Sequence, residues 1–287
     1  MAQVTVLGMG EMGSRMALAL LKAEHQVTVW NRSLDKTKPL VQAGAIVAET
    51  PRIAAKNAEF VISMVRDDEA SRQVWLDEEH GALTSLASNA IAIESSTLTV
   101  AWVKELATEF RNKEIQFLDA PVAGTLPQAD AAQLIYFVGG DEAEFKSAKP
   151  ILKAMGNTVH HAGSVGNGMA IKLAVNALFG IQVSALGELI NLLKGCGLDE
   201  TKAIEILSST PVCSPAAKGA AAGILSRNFA PLFPIELVEK DLSYAVNTAQ
   251  DCDAQLPITN ATQQTFKDAI SQGYAQDNIT GIAQLYF

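Results

Sequence analysis

Basic clusters, paired cysteines and metal-ligand spacings are what this 287-residue chain lacks. Its 22 Lys and Arg face 31 Asp and Glu, a formal charge of −9 with no long basic run. That balance excludes the phosphate-neutralising surface of a nucleic-acid or anionic-membrane binder, so any anion site must be local. The three cysteines, Cys196, Cys213 and Cys252, are odd in number and widely spaced, with no CxxC and no Cys/His cluster. A disulfide framework and a structural zinc site are thereby excluded, and a reduced, cytoplasmic, metal-free protein is expected. Histidine is equally sparse. His25, His80, His160 and His161 form no Ser-His-Asp or metal-binding arrangement, and the last two, after "GNTV", read as structural. The opening "MAQVTVLGMGEMG" lacks a basic n-region and breaks its apolar stretch with glycines and Glu11, so it reads as part of the fold and not as a signal peptide. The most apolar run, residues 173–187, falls short of about 20 residues and contains Asn176 and Gln182, which argues against a membrane span.

What is present is hydrophobic periodicity, with 48% of residues apolar. In the first half, short β-branched runs at 3–8, 26–30, 60–65, 90–95, 115–121 and 132–140 alternate with helical patterns such as "SRMALALLKAEH" and "DEAEFKSAKPILKAMG". That alternation predicts a doubly wound parallel sheet. After residue 163 the strand signals stop. A single apolar pattern then runs for about 27 residues from Gly168 to Lys194, or about 40 Å of helix, and shorter helical segments follow. "SPAAKGAAAG" (214–223) reads as either a loop or a helix. The expectation is an α/β domain over 1–163, a linking helix over 164–194 and an all-α domain over 195–287.

"GMGEMG" places Gly8, Gly10 and Gly13 in G-x-G-x-x-G spacing, with Met9, Glu11 and Met12 between them, directly after the first strand and opening a helix at Ser14. In that context the glycines make a tight turn, a close approach to a pyrophosphate and a helix–strand contact, and the helix N-terminus faces the phosphates. This is the signature of a Rossmann dinucleotide-binding domain. Sites for NAD carry an acid about 20 residues on, which accepts from the ribose 2′-hydroxyl. Here the position is Asn31, followed by Arg32 and Ser33. A neutral amide does not repel a 2′-phosphate and a guanidinium pairs with it, so NADP(H) is expected, with Lys36 or Lys38 either contributing or simply exposed. Ligands in such sheets sit at the carboxyl ends of strands, which adds Met64, Val65, Ser96 and Thr97.

Within "GNGMAIKLAVNALFG" (166–180) a lysine, Lys172, interrupts the apolar pattern, with Asn176 one helical turn on. Two readings stand. The lysine either snorkels from a partly buried helix or donates a proton to the alkoxide that hydride transfer to a carbonyl creates, with Asn176 binding the same oxygen or holding the lysine. A dry cleft beside an oxidised nicotinamide would lower its pKa and let it act as base in the reverse direction.

Five segments, "VLGMGEMGSRMALALLKAEHQVTVWNRS", "ESST", "FLDAPVAG", "GNGMAIKLAVN" and "FPIELVEKDL", together resemble the β-hydroxyacid dehydrogenase family over nearly the whole chain. The resemblance implies a Rossmann domain, a long interdomain helix and an all-α domain, assembled as a dimer or tetramer. With the NADP(H) reading of Asn31 and Arg32, it implies a reductase of a small aldehyde or ketone bearing an acid group. Lys172 would be its general acid/base, Asn176 the hydrogen-bonding partner of Lys172, residues Ala123, Gly124 and Thr125 the substrate-binding loop, and Lys240 would close over the cofactor. One departure stands out: the family's loop reads Ser-Gly-Gly, so Ala123 removes a hydroxyl donor, a charge-assisted bond of about 1.5 to 3 kcal/mol. Thr125 replaces it from another angle, backbone N–H groups suffice, or the acid group is a phosphonate or sulfonate. An imine reductase is the alternative enzyme reading, although that related family usually carries Asp or Tyr at the Lys172 position. A catalytically silent dinucleotide-binding protein is the alternative of another class.

Overall fold

The computed structural model describes residues 1–287. The first half runs β1 (Gln3–Leu7), α1 (Glu11–Lys22), β2 (Gln26–Trp30), α2 (Lys38–Gln42), β3 (Ile46–Val47), α3 (Pro51–Ala55), β4 (Phe60–Ser63), α4 (Asp68–Leu76), β5 (Ile91–Glu94) and α5 (Val100–Asn112). It continues through β6 (Gln116–Asp119), β7 (Val122–Ala123), α6 (Leu126–Asp130), β8 (Leu134–Gly139), α7 (Glu142–Met155) and β9 (Gly156–Gly163). The sheet order is β3-β2-β1-β4-β5-β6-β8-β7, with β9 paired to β8. Strands β1 to β6 run parallel to one another, and the chain reverses direction of winding between β1 and β4, where a doubly wound sheet opens its ligand crevice. The central strands are β-branched on both faces because both faces are covered: Val4, Val6, Val27, Val29, Val61, Ile62 and Ile93 are all buried. Helix α1 presents Gly13, Met16, Ala17 and Leu20 to the same core, a stripe at helical spacing.

The sheet departs from the expected all-parallel form. Strand β8 runs antiparallel to β6 and β7, so the sheet is mixed. Strand β9 pairs parallel with β8 and carries a largely half-exposed, polar pattern, which is why its residues gave no strand signal. His160 and His161 lie on it, stacked on Phe137 and Phe145, in keeping with a structural role. Helix α1 begins at Glu11 and not at Ser14, since Gly10 is its N-cap.

The remaining elements are α8 (Asn167–Gly195), α9 (Glu200–Ser209), α10 (Pro215–Ser226), α11 (Ile235–Asp251) and α12 (Pro257–Ser271). Compact units cover Met1–Lys172 and Leu173–Phe287, so the division falls inside α8. The "SPAAKGAAAG" segment is helical: Ser214 caps α10 by accepting from the Ala217 N–H at 3.1 Å, Pro215 starts the first turn, and Ala217, Ala220, Ala221 and Ile224 form its buried stripe. Helix α8 extends well beyond residues 173–187 and is, by length and composition, long and apolar enough to cross a bilayer; half of that stretch is buried inside the protein. The chain is thus a Rossmann-type domain followed by a long helix and an all-α domain.

Candidate active site

The glycine loop is built by close approach. Gly8 has φ +101°, a conformation L side chains avoid, and a Cβ on it would meet the Met64 carbonyl oxygen; a Cβ on Gly13 would meet the Gly8 carbonyl. At Gly10 the same position faces open space, with nothing within 4 Å. Gly10 has no side-chain cap to offer α1, so the first N–H groups of that helix are not claimed by a cap, the donor arrangement that binds a pyrophosphate. Glu11 and Met12 form that first turn, and Glu11 pairs with Arg15 at 2.7 Å. These residues fit a dinucleotide: open space at Gly10 and uncapped N–H groups beside it.

Asn31 turns out to brace this loop. Its Oδ1 accepts from the Met9 N–H at 2.9 Å and its Nδ2 donates to the Ser33 carbonyl at 2.9 Å. Arg32 and Ser33 are exposed just beyond. Lys38 is occupied by Asp35 at 2.6 Å, which leaves Lys36 as the other exposed cation in that loop. Met64 and Val65 lie past the end of β4, half-buried. The Val65 N–H donates to Ser96 Oγ at 2.8 Å, and Ser96 N–H donates to Glu94 Oε1 at 3.0 Å. Glu94 Oε2 takes the Ser71 hydroxyl at 2.7 Å and the Trp75 indole at 2.8 Å. Burial pushes the Glu94 pKa up, and these donors oppose the shift. Glu94 therefore fixes the two strand-end segments 64–65 and 96–97. Spacing arguments identified the segments; the buried carboxylate behind them went unremarked because "IAIE" reads as a plain strand.

Ala123 ends β7, Gly124 follows at φ +124°, and Thr125 caps α6. The Thr125 N–H and hydroxyl both donate to Gln128 Oε1, at 2.9 and 2.7 Å. The hydroxyl that stood as a replacement for the family serine is therefore committed to Gln128.

Asp119, at the end of β6, joins the strand leading into this loop to the start of α8. Its Oδ1 accepts from the Gly166 N–H and its Oδ2 from the Met169 N–H, both at 2.8 Å. Fully buried, it has its pKa pushed up to about 6 by desolvation, against the pull of those backbone bonds. Three residues after Met169 comes Lys172, 9% exposed. An ammonium-bearing side chain this buried is rare without charged or polar partners.

Further along α8, Asn176 is 7% exposed and donates from Nδ2 to Asp241 Oδ2 on α11 at 2.6 Å. Lys240 pairs with the other oxygen of Asp241 at 3.0 Å and lies over the Tyr244 ring at 4.6 Å. The sequence pointed to Lys240 within "EKDL" and passed over its neighbour Asp241. A buried acid between apolar positions of an amphipathic helix was the available signal.

The chain is similar to known proteins along nearly its whole length. The model of the NAD binding domain of 6-phosphogluconate dehydrogenase matches residues 3–163, and that of the NAD-binding of NADP-dependent 3-hydroxyisobutyrate dehydrogenase matches residues 166–286. Glyoxylate/succinic semialdehyde reductase 2 of Arabidopsis thaliana is 31% identical over 97% of this chain and 77% of its own. The 3-sulfolactaldehyde reductase of Escherichia coli is 31% identical over 99% of this chain and 95% of its own. The structure of Mycobacterium tuberculosis 3-hydroxyisobutyrate dehydrogenase with L-serine superposes with a TM-score of 0.92 at 25% identity, covering 99% of both chains. With both halves matched by family models and these relatives spanning it end to end, the chain belongs to the β-hydroxyacid dehydrogenase family of nicotinamide-dinucleotide oxidoreductases.

Proposed function

We propose that the protein is an NADPH-dependent reductase of a small aldehyde or ketone bearing an acid group, with Lys172 as general acid. The observation that carries this reading is a lysine 9% exposed on an apolar helix, one turn from a buried asparagine, in a chain with a dinucleotide cradle. The bound cofactor supplies hydride; what the chain must supply is a proton and a positive charge for the oxygen that becomes negative, and one ammonium provides both. Two relatives named above act, by their names, on small aldehydes that carry a carboxylate or a sulfonate. For the acid group, Gln128 takes both the hydroxyl and the backbone N–H of Thr125, which favours recognition by the backbone N–H of Gly124. Preference for NADPH is supported by Asn31, a neutral amide that does not repel a 2′-phosphate as an acid would, with Arg32 exposed alongside. Lys240 would reach the cofactor by leaving Asp241 and Tyr244.

The free thiols Cys196, Cys213 and Cys252 suit a reducing, cytoplasmic setting. A homodimer or homotetramer is supported by the apolar residues that α8 leaves exposed, Leu178 and Leu192 among them, at 60% and 59%. The functional partition is 1–163 for NADP, 164–194 for the linking helix and 195–287 for substrate and assembly.

The test is NADPH oxidation across glyoxylate, succinic semialdehyde, tartronate semialdehyde, sulfonate- and phosphonate-bearing aldehydes and cyclic imines, with Lys172→Ala alongside. The expected result is turnover on an acid-bearing carbonyl, lost by orders of magnitude in the variant while NADPH still binds. Activity confined to imines, or a fully active variant, overturns the reading.

A further inference from the structure

Helix α11 buries Val238, Leu242 and Ala245 on one stripe, and Asp241 lies on that stripe, 3% exposed. A carboxylate in that setting is tolerated where charge and hydrogen bonds compensate it. Here the compensation is the Lys240 ammonium at 3.0 Å from Oδ1 and the Asn176 amide at 2.6 Å from Oδ2. An ionised carboxylate accepts and never donates, so the amide group facing it must be the NH2. The orientation of Asn176 is thus dictated by chemistry.

We propose that Asp241 is a positioning residue that sets the polarity of Asn176: by drawing Nδ2 to itself it leaves the carbonyl Oδ1 as the end that serves the reacting proton. Asn176 then acts as an acceptor, for the Lys172 ammonium one helical turn earlier or for a substrate hydroxyl, and not as a donor to the substrate carbonyl. The assignment rests on the reading of Lys172 as general acid.

Exchanging the two side chains tests it. Asn176→Asp alone sets two carboxylates against each other at the 2.6 Å contact and is expected to lower kcat by at least a hundredfold. Adding Asp241→Asn restores a donor–acceptor pair of reversed sense and again leaves an oxygen on position 176 turned outward. The double variant is expected to regain kcat to within about tenfold of the parent, with the alkaline limb of its pH profile moved upward, because a carboxylate now neighbours the lysine. A double variant no better than Asn176→Asp overturns the acceptor role. Should Asn176→Asp fail to fold, Asp241→Ala is measured instead. A kcat loss of tenfold or more with a displaced pH profile and an NADPH Kd within about threefold of the parent supports positioning. A loss matched by the unfolded fraction, with an unmoved profile, overturns it. If Lys172→Ala retains turnover, the general-acid reading falls and this assignment with it; if Lys172→Ala is inactive and the swap does not recover, only the assignment falls.

Discussion

In the proposed NADPH reading, Arg32 and Asn31 divide the work of cofactor selection between two neighbouring residues. Asn31 holds the glycine loop by its Met9 bond, and Arg32, exposed beside it, is the residue proposed to take the 2′-phosphate. Replacing Arg32 with Ala is expected to weaken NADPH binding by about 1.5 to 3 kcal/mol, roughly ten- to a hundredfold, and NADH binding far less. Fluorescence titration of both cofactors checks it, and equal losses would remove Arg32 from the 2′-phosphate site. The glycines, Asn31 and Lys172 were legible in the sequence because each violates a local expectation: a G-x-G-x-x-G turn between strand and helix, an amide where an acid is usual, a charge in an apolar run. Asp241 and Gln128 were not, because their meaning is a partner. Asn176 and Asp241 are 65 positions apart, and Gln128, although near Thr125, shows its function through geometry.

At the scale of elements, the start of α8 is held by a strand. Asp119 of β6 accepts the N–H of Gly166, just before α8, and that of Met169 in its first turn, a cap delivered from 47 and 50 residues away in the chain. With its pKa about 6 in the folded protein against 3.8 ordinarily, Asp119 keeps a proton between those values that the unfolded chain has shed. Stability attributable to this group therefore falls as pH rises through that window, by about 3 kcal/mol in all, and stays lowered above it. Asp119→Asn abolishes that titration but places an NH2 against one of the two N–H donors. It is expected to be less stable than the parent at pH 4, with the deficit shrinking by roughly 2 to 3 kcal/mol by pH 7.5. Urea midpoints at several pH values measure this; a pH-independent difference would contradict it. Helix α10 teaches the complementary lesson: "SPAAKGAAAG" was ambiguous on composition, and the Ser214 cap with the buried Ala/Ile stripe decided for helix.

For the whole molecule, the exposed apolar positions of α8 are where assembly is expected. The double substitution Leu178→Asp with Leu192→Asp is expected to shift the protein toward a smaller species by light scattering while leaving its helical content intact; an unchanged mass would move the interface elsewhere. By itself the sequence determined the succession of β and α segments, the cofactor turn and the position of the lysine, because period, glycine placement and capping act over a few residues. Tertiary structure decided that the sheet is mixed at β8, that Asp119 and Glu94 are buried supports, that the Thr125 hydroxyl is spent on Gln128, and that Asn176 faces Asp241 with its NH2. These depend on desolvation and on the pairing of groups distant in the chain or set by local geometry, quantities that no window of sequence contains.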